Sequence, residues 1–185
     1  MGPTKILKKE HEVIKIVLDI LDVIVSDIMA KKPVNLRHME EIVDFIRTFA
    51  DKCHHGKEQD LLFPAMEEAG IPRNGGPIEV MLEEHDIGRN YVRQLAKAIT
   101  DYRKGNKKSL KDIAENASGY VNLLRQHIDK EDNILYMMAD MHLDKSTEKK
   151  LLEEFEKVEK KMGEGTHEKY HHLVEQLERE YLKVK

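Results

Sequence analysis

The sequence predicts an all-α protein: an antiparallel four-helix bundle with an additional C-terminal helix. Three observations predict it. Apolar residues recur at alternating steps of three and four through most of the chain, the helical period. Breaks carrying Pro, Gly and Asn separate four long segments and a last one. A pair of segments also recurs further along the chain, as one hairpin used twice would. Residues 1–145 are expected to form the bundle, and 146–185 a helix packed on the same domain.

In the first segment Leu7, Ile14, Leu18, Leu21, Val25 and Ile28 mark one seam, and the position the seam skips is His11. Lys32-Pro33-Val34-Asn35 ends it, with Asn35 placed to cap the next helix. The second helix runs to about Glu68, with Val43, Ile46 and Ala50 leading into His54, Glu58 and Leu61. The stretch 70–77, with three glycines and two prolines, is the clearest loop. The third helix carries Ile78, Met81, Val92, Leu95 and Ile99 on one seam with His85 among them, and Lys104-Gly105-Asn106 closes it. The fourth aligns Ile113, Ala117, Tyr120, Leu124, Ile134 and Met138, and both His127 and Glu131 fall in that line. The fifth spans about Thr147 to the chain end, interrupted near Gly163-Glu164-Gly165.

Composition narrows the function classes. Of 185 residues 40% are hydrophobic and 36% charged, with no Trp, so the core is aliphatic and the outer faces are solvated. A net charge of -4, and no basic run interleaved with aromatics, argues against nucleic-acid binding. No apolar run approaches the roughly 20 residues of a membrane span, and the N-terminus lacks a signal-peptide core. A single cysteine, Cys53, allows no internal disulfide, and a cytoplasmic protein is the simple expectation. No nucleophile elbow, P-loop or dinucleotide fingerprint is present.

The repeat carries the functional argument. Glu10-His11-Glu12 matches Glu84-His85-Asp86 at a displacement of 74 residues. His54, Lys57-Glu58 and Leu61-Leu62-Phe63 match His127, Lys130-Glu131 and Ile134-Leu135-Tyr136 at 73. The repeated polar residues therefore meet about a pseudo-two-fold axis. An unpaired carboxylate in a core seam is costly, yet Glu58 and Glu131 point inward, each one turn from a histidine. Four imidazoles and two carboxylates, His11, His54, Glu58, His85, His127 and Glu131, suit first-row transition metals, and the carboxylates can bridge two ions. His55, His171 and His172 are expected beside the site or exposed, and His38 and His142 exposed. Glu12 and Asp86, each following a ligand, and His55 are candidates to receive an imidazole N–H.

The order of one His, then HxxxE, then one His, then HxxxE resembles the hemerythrin-like (HHE) domain family. The resemblance lies in CHHGKEQDLLFP (53–64), EEHDIGR (83–89) and HIDKEDNILY (127–136) and covers roughly residues 5–141. It implies iron as the metal and an oxo- or hydroxo-bridged pair of ions. Invertebrate oxygen carriers of this family have HxxxH on the third helix, where this chain has Arg89 four residues after His85. They also use a more distant Asp where this chain has Glu131. The sequence is closer to bacterial and archaeal members, including those implicated in repairing damaged iron centres.

Two six-coordinate ions offer about twelve positions, and four His, two bridging Glu and one solvent bridge leave about one open per metal. A fifth His would close one, and His167, on a face with Tyr170, Val174, Leu177 and Tyr181, is the candidate. The expected function is a non-haem di-iron protein that binds or reacts with a small oxidant: oxygen, peroxide or nitric oxide. Sensing, scavenging and peroxidase-like turnover all fit. The alternative is an iron store or donor serving a protein iron acceptor. The site is made within one chain and requires no partner chain.

Overall fold

The computed structural model describes residues 1–163 and 165–183 and contains, among them, six helices and no strand. Helix α1 is Pro3–Met29, with proline in its first turn where no N–H is missed. Helix α2 covers 36–68 without interruption, in α-helical (Leu36–Phe45), π-helical (Ile46–His55 and Glu58–Leu62) and again α-helical (Phe63–Glu68) stretches. The Asn35 side chain caps it, accepting from the N–H groups of Arg37 and His38 at 3.1 and 3.3 Å. Helix α3 is Pro77–Arg103. Helix α4 covers 109–142 as Ser109–Lys130, a π stretch Glu131–Leu135, and Tyr136–His142. The four pack as an antiparallel bundle, α3 lying closely along α4, where a Cβ at Gly119 would strike the Tyr91 ring.

The expected last helix is two helices. Helix α5 (Lys145–Met162) starts at Asp144, whose side chain accepts from Thr147 N–H at 2.7 Å. Helix α6 is Thr166–Tyr181. Gly163 and Gly165 stand at the break with φ of 103° and 79°, which a residue with a Cβ rarely adopts. Glu164 and the stretch 184–185, also included in the expected helix, lie outside the described residues.

The π stretches correct the expected seams. A π-helical N–H bonds back to the fifth residue rather than the fourth, so each stretch advances the inward face by one residue. Ile134 accordingly turns outward to 53% exposure and Leu61 is only partly buried, while Leu62, Phe63, Leu135 and Tyr136 are buried. In α1 the buried position is Ile24, with Val25 half-buried. His38, expected to be exposed, is buried with its Nδ1 2.9 Å from the Tyr181 hydroxyl, because α6 covers that end of α2.

Two apolar clusters flank a polar layer. One, toward the loop ends at 30–35 and 104–108, includes Leu18, Leu21, Phe45, Phe49, Leu95 and Leu124, and α6 adds Tyr170, Val174 and Leu177. The other includes Leu7, Phe63, Met66, Ile78, Leu135 and Tyr136, closed by Leu151 and Phe155 of α5. A fully buried Leu, Ile or Phe contributes about 2 kcal/mol. The two apolar ends thus carry the bundle, and the layer between them holds side chains that packing alone does not favour.

Candidate metal centre

Six inward residues occupy that layer: His11 on α1, His54 and Glu58 on α2, His85 on α3, His127 and Glu131 on α4. None exceeds 1% exposure. Their ligand atoms converge. Glu131 Oε2 is 3.2 Å from His11 Nε2, and its Oε1 is 3.1 Å from His127 Nε2 and 3.9 Å from His85 Nε2. Glu58 Oε2 is 3.4 Å from His85 Nε2 and 3.8 Å from His54 Nε2. The Nε2 atoms of His85 and His127 approach to 3.1 Å.

Proximity here leaves several of these atoms without hydrogen bonds. His54 Nε2, Glu58 Oε2 and both carboxylate oxygens of Glu131 have no hydrogen-bond partner among the described residues, although all are buried. Leaving a buried polar atom unpaired costs about 1–3 kcal/mol, more when it is charged. Donors aimed at shared points between them are what a pair of cations would satisfy. Two such groups exist: His11, His54, Glu58 and Glu131, and His55, Glu58, His85 and His127, each with ligand atoms within 4.8 Å of one another.

The ring nitrogens facing away from the centre are tied down. His54 Nδ1 donates to Glu10 Oε2 at 2.8 Å, His127 Nδ1 to Glu84 Oε2 at 2.9 Å, and His11 Nδ1 to Asp132 Oδ1 at 2.8 Å. A carboxylate only accepts, so each contact fixes the proton on Nδ1 and leaves Nε2 free for a metal. Lysines hold the carboxylates in turn. Lys57, fully buried, is 2.5 Å from Glu10 Oε1 and 2.7 Å from Glu159 Oε1, while Lys130 pairs with Glu84 and Lys15 with Asp132. The chain Lys57–Glu10–His54 is thus the repeat image of Lys130–Glu84–His127.

The image is incomplete. Asp132 serves His11, but its counterpart in the other half is Gln59, whose Oε1 accepts from Arg89 instead. His85 Nδ1 is left without a partner among the described residues. Tyr136 is the second asymmetry, matching Phe63. Its hydroxyl donates to Glu58 Oε1 and stands 3.4 Å from His11 Nε2.

Electrostatics separate the groups. Burial disfavours charge on His11 and His127, but the bond His11 donates to Asp132 and the nearby Glu131 charge lift His11 to about 9, and the Glu131 charge with the bond donated to Glu84 lifts His127 to about 10. Burial and neighbouring histidines push His55 and His85 down to about 3. Burial and the Glu131 charge raise Glu58 to about 7. Glu131 goes the other way: burial would raise it, yet His127 and His11 hold it well below the ordinary range. Without a metal, protons on His11 and His127 balance the carboxylate that an ion would otherwise neutralise.

Sequence reasoning placed His55 beside the site or exposed rather than among the ligand residues, yet it is 5% exposed, stacks on His85 with ring centroids 3.8 Å apart and belongs to one of the two groups. The π geometry of 46–55 turns adjacent residues inward together, and an α-helical reading does not. It also missed Glu10, Glu84 and Asp132 as imidazole partners, assigning that role to Glu12 and Asp86. Those two are 72% and 79% exposed and pair with Lys15 and Arg89. The repeat itself held the signal, since a Glu precedes the ligand in both copies.

His167, the sequence candidate for a fifth ligand, is not in either central group. Its Nε2 lies 3.5 Å from Cys53 Sγ and its ring 5.0 Å from Phe49, in a separate group with Glu10 and Cys53. Helix α6 packs across α1 and α2, so Phe49 and Cys53 stand beside His167 while His54 and His55 face the centre.

A helical bundle with buried clusters of histidines and glutamates that could hold metal ions defines a class: helical cation-binding proteins with an N/O ligand set. Within it, the Hemerythrin HHE cation binding domain matches residues 2–139, and the chain belongs to that family. Comparison with curated proteins and with solved structures gave no match.

Proposed function

We propose that this chain is a non-haem di-iron protein that binds or reacts with a small oxidant, namely oxygen, peroxide or nitric oxide. Its roles would be sensing, scavenging or peroxidase-like turnover. The observation that carries the reading is the set of buried, unpartnered donor atoms on His54, Glu58 and Glu131, aimed between four helices. His11 and His54 serve one position, His55, His85 and His127 the other, and Glu58 and Glu131 lie between as bridges. His167 remains outside both. Two irons with an oxo or hydroxo bridge would supply Lewis acidity and one-electron chemistry there.

The chain's own residues differ at the two positions. The second has three imidazoles, so the first is the more open. Beside the first, Tyr136 keeps an O–H on Glu58 within 3.4 Å of His11, a proton held next to the open side. Among the described residues no helix is long and apolar enough to cross a membrane. A reducing cytoplasmic setting, which would keep buried Cys53 as a thiol, belongs to the same proposal.

The test is metal content per chain on protein purified without oxygen, with visible spectra before and after adding air, peroxide or azide. Two irons and new charge-transfer bands are expected. One zinc, no metal, or a spectrum unmoved by all three would overturn the reading. Donation to a protein iron acceptor predicts ready loss to a moderate chelator, against which the near-zero exposure of every donor weighs.

A further inference from the structure

A cavity of about 410 Å³ opens between α2 and α3 and ends at the metal layer. Its inner wall is His55, which stacks on His85, and its floor is Tyr120 of α4. Oxygen or peroxide needs little more than a water's share of about 30 Å³, whereas sites for organic ligands span about 300–1,000 Å³. The cavity, open to solvent along its rim, therefore has room for a ligand larger than the proposed oxidant.

The lining has two characters. Ile46, Val92 and Gly88 present apolar surface. Tyr120 is 2% exposed and brings a phenol to the lining. The rim is cationic. Arg89 is committed, its Nε 2.8 Å from Asp51 Oδ1 and its Nη1 2.9 Å from Asp86 Oδ1. Arg47 and Arg93 are exposed and have no carboxylate within 4 Å among the described residues. With Asp51 as the one acidic lining residue, already neutralised by Arg89, the rim offers two free guanidinium groups.

We infer that this cavity is a docking chamber for a small organic carboxylate. The carboxylate sits on Arg47 and Arg93, which match its planar two-oxygen geometry. The apolar body lies on Ile46, Val92 and Gly88, and the far end points to Tyr120 and His55. The inference rests on the di-iron reading only for what would happen at that far end. It adds an organic ligand to a site so far assigned an oxidant alone.

The probe is benzoate, titrated by calorimetry into the metal-loaded protein, with benzamide as neutral isostere, inorganic phosphate as a plain anion, and iron counted on the same sample. Saturable benzoate binding is expected, with benzamide at least tenfold weaker. The double variant Arg47→Gln/Arg93→Gln, altered at exposed positions outside the metal layer, should bind benzoate at least tenfold more weakly while keeping its iron. Absent benzoate binding, equal affinity for benzamide or phosphate, or unchanged affinity in the double variant would each overturn the inference. Arginine-dependent benzoate binding by a chain that holds no iron would uphold the chamber and remove the di-iron reading. Two irons without benzoate binding would do the reverse.

Discussion

Replacing Lys57 by Met keeps the length of the buried stem and deletes its charge. Lys57 is 0% exposed and Glu10 only 6%, so Glu10 would retain the His54 N–H alone. Removing one member of a buried ion pair costs about 3–5 kcal/mol. A second route gives a similar size. Burial would raise the Glu10 pKa, yet the His54 and Lys57 contacts lower it from 4.5 to about 2. That shift is worth about 3 kcal/mol, shared between the two partners. Because the folded-state pKa is depressed, this stability is present above pH 4.5 and is lost as pH falls through about 2. Urea denaturation at pH 7 should show Lys57→Met destabilised by about 3 kcal/mol, a gap that narrows as pH falls below 4.5. Glu159→Gln should lose under about 1 kcal/mol, since Glu159 is 41% exposed and screened. A Lys57→Met protein within about 1 kcal/mol of wild type, or a Glu159→Gln loss equal to it, would refute the reasoning.

Three further outcomes are expected. Glu58→Ala and Glu131→Ala each remove a bridge, so elemental analysis should find both metals lost, and full occupancy in either variant would contradict the assignment. His55→Gln removes a donor from the second position only, and metal content should fall toward one per chain with the helical circular dichroism unchanged. Gln59→Glu offers His85 Nδ1 the carboxylate that Asp132 gives His11. Such partners are worth about 10–100-fold in metal affinity, so chelator competition should show the second ion held at least about tenfold more tightly.

The bundle and its six central residues were legible because both rest on periodicity and on a repeat that one sequence displays to itself. Asn35, the 70–77 loop and the positions of His11 and His85 followed from local rules. What was illegible lay where the period changes. Ile134 reads as core at 3.6 residues per turn, but the π stretch puts Leu135 and Tyr136 there. His55 was hidden for the same reason. His167 misled because its own helix face is apolar and periodic, and periodicity reports that a face is covered, not what covers it. The cavity at His55 needed the spacing of two helices, which neither helix encodes alone.

The two short π stretches also follow the repeat. Glu58–Leu62 and Glu131–Leu135 are displaced by the same 73 residues as the ligands beside them. In each hairpin the π turn begins at the inward glutamate itself, Glu58 or Glu131. The longer stretch Ile46–His55 has no such twin, because the matching region of α4 lies within the regular helix Ser109–Lys130. It belongs to one copy only, as does His55, opposite Ile128 in the other. The asymmetry between the halves at His55 therefore travels with the π geometry of 46–55, and a variant that restored regular helix there would carry position 55 round toward the setting of Ile128.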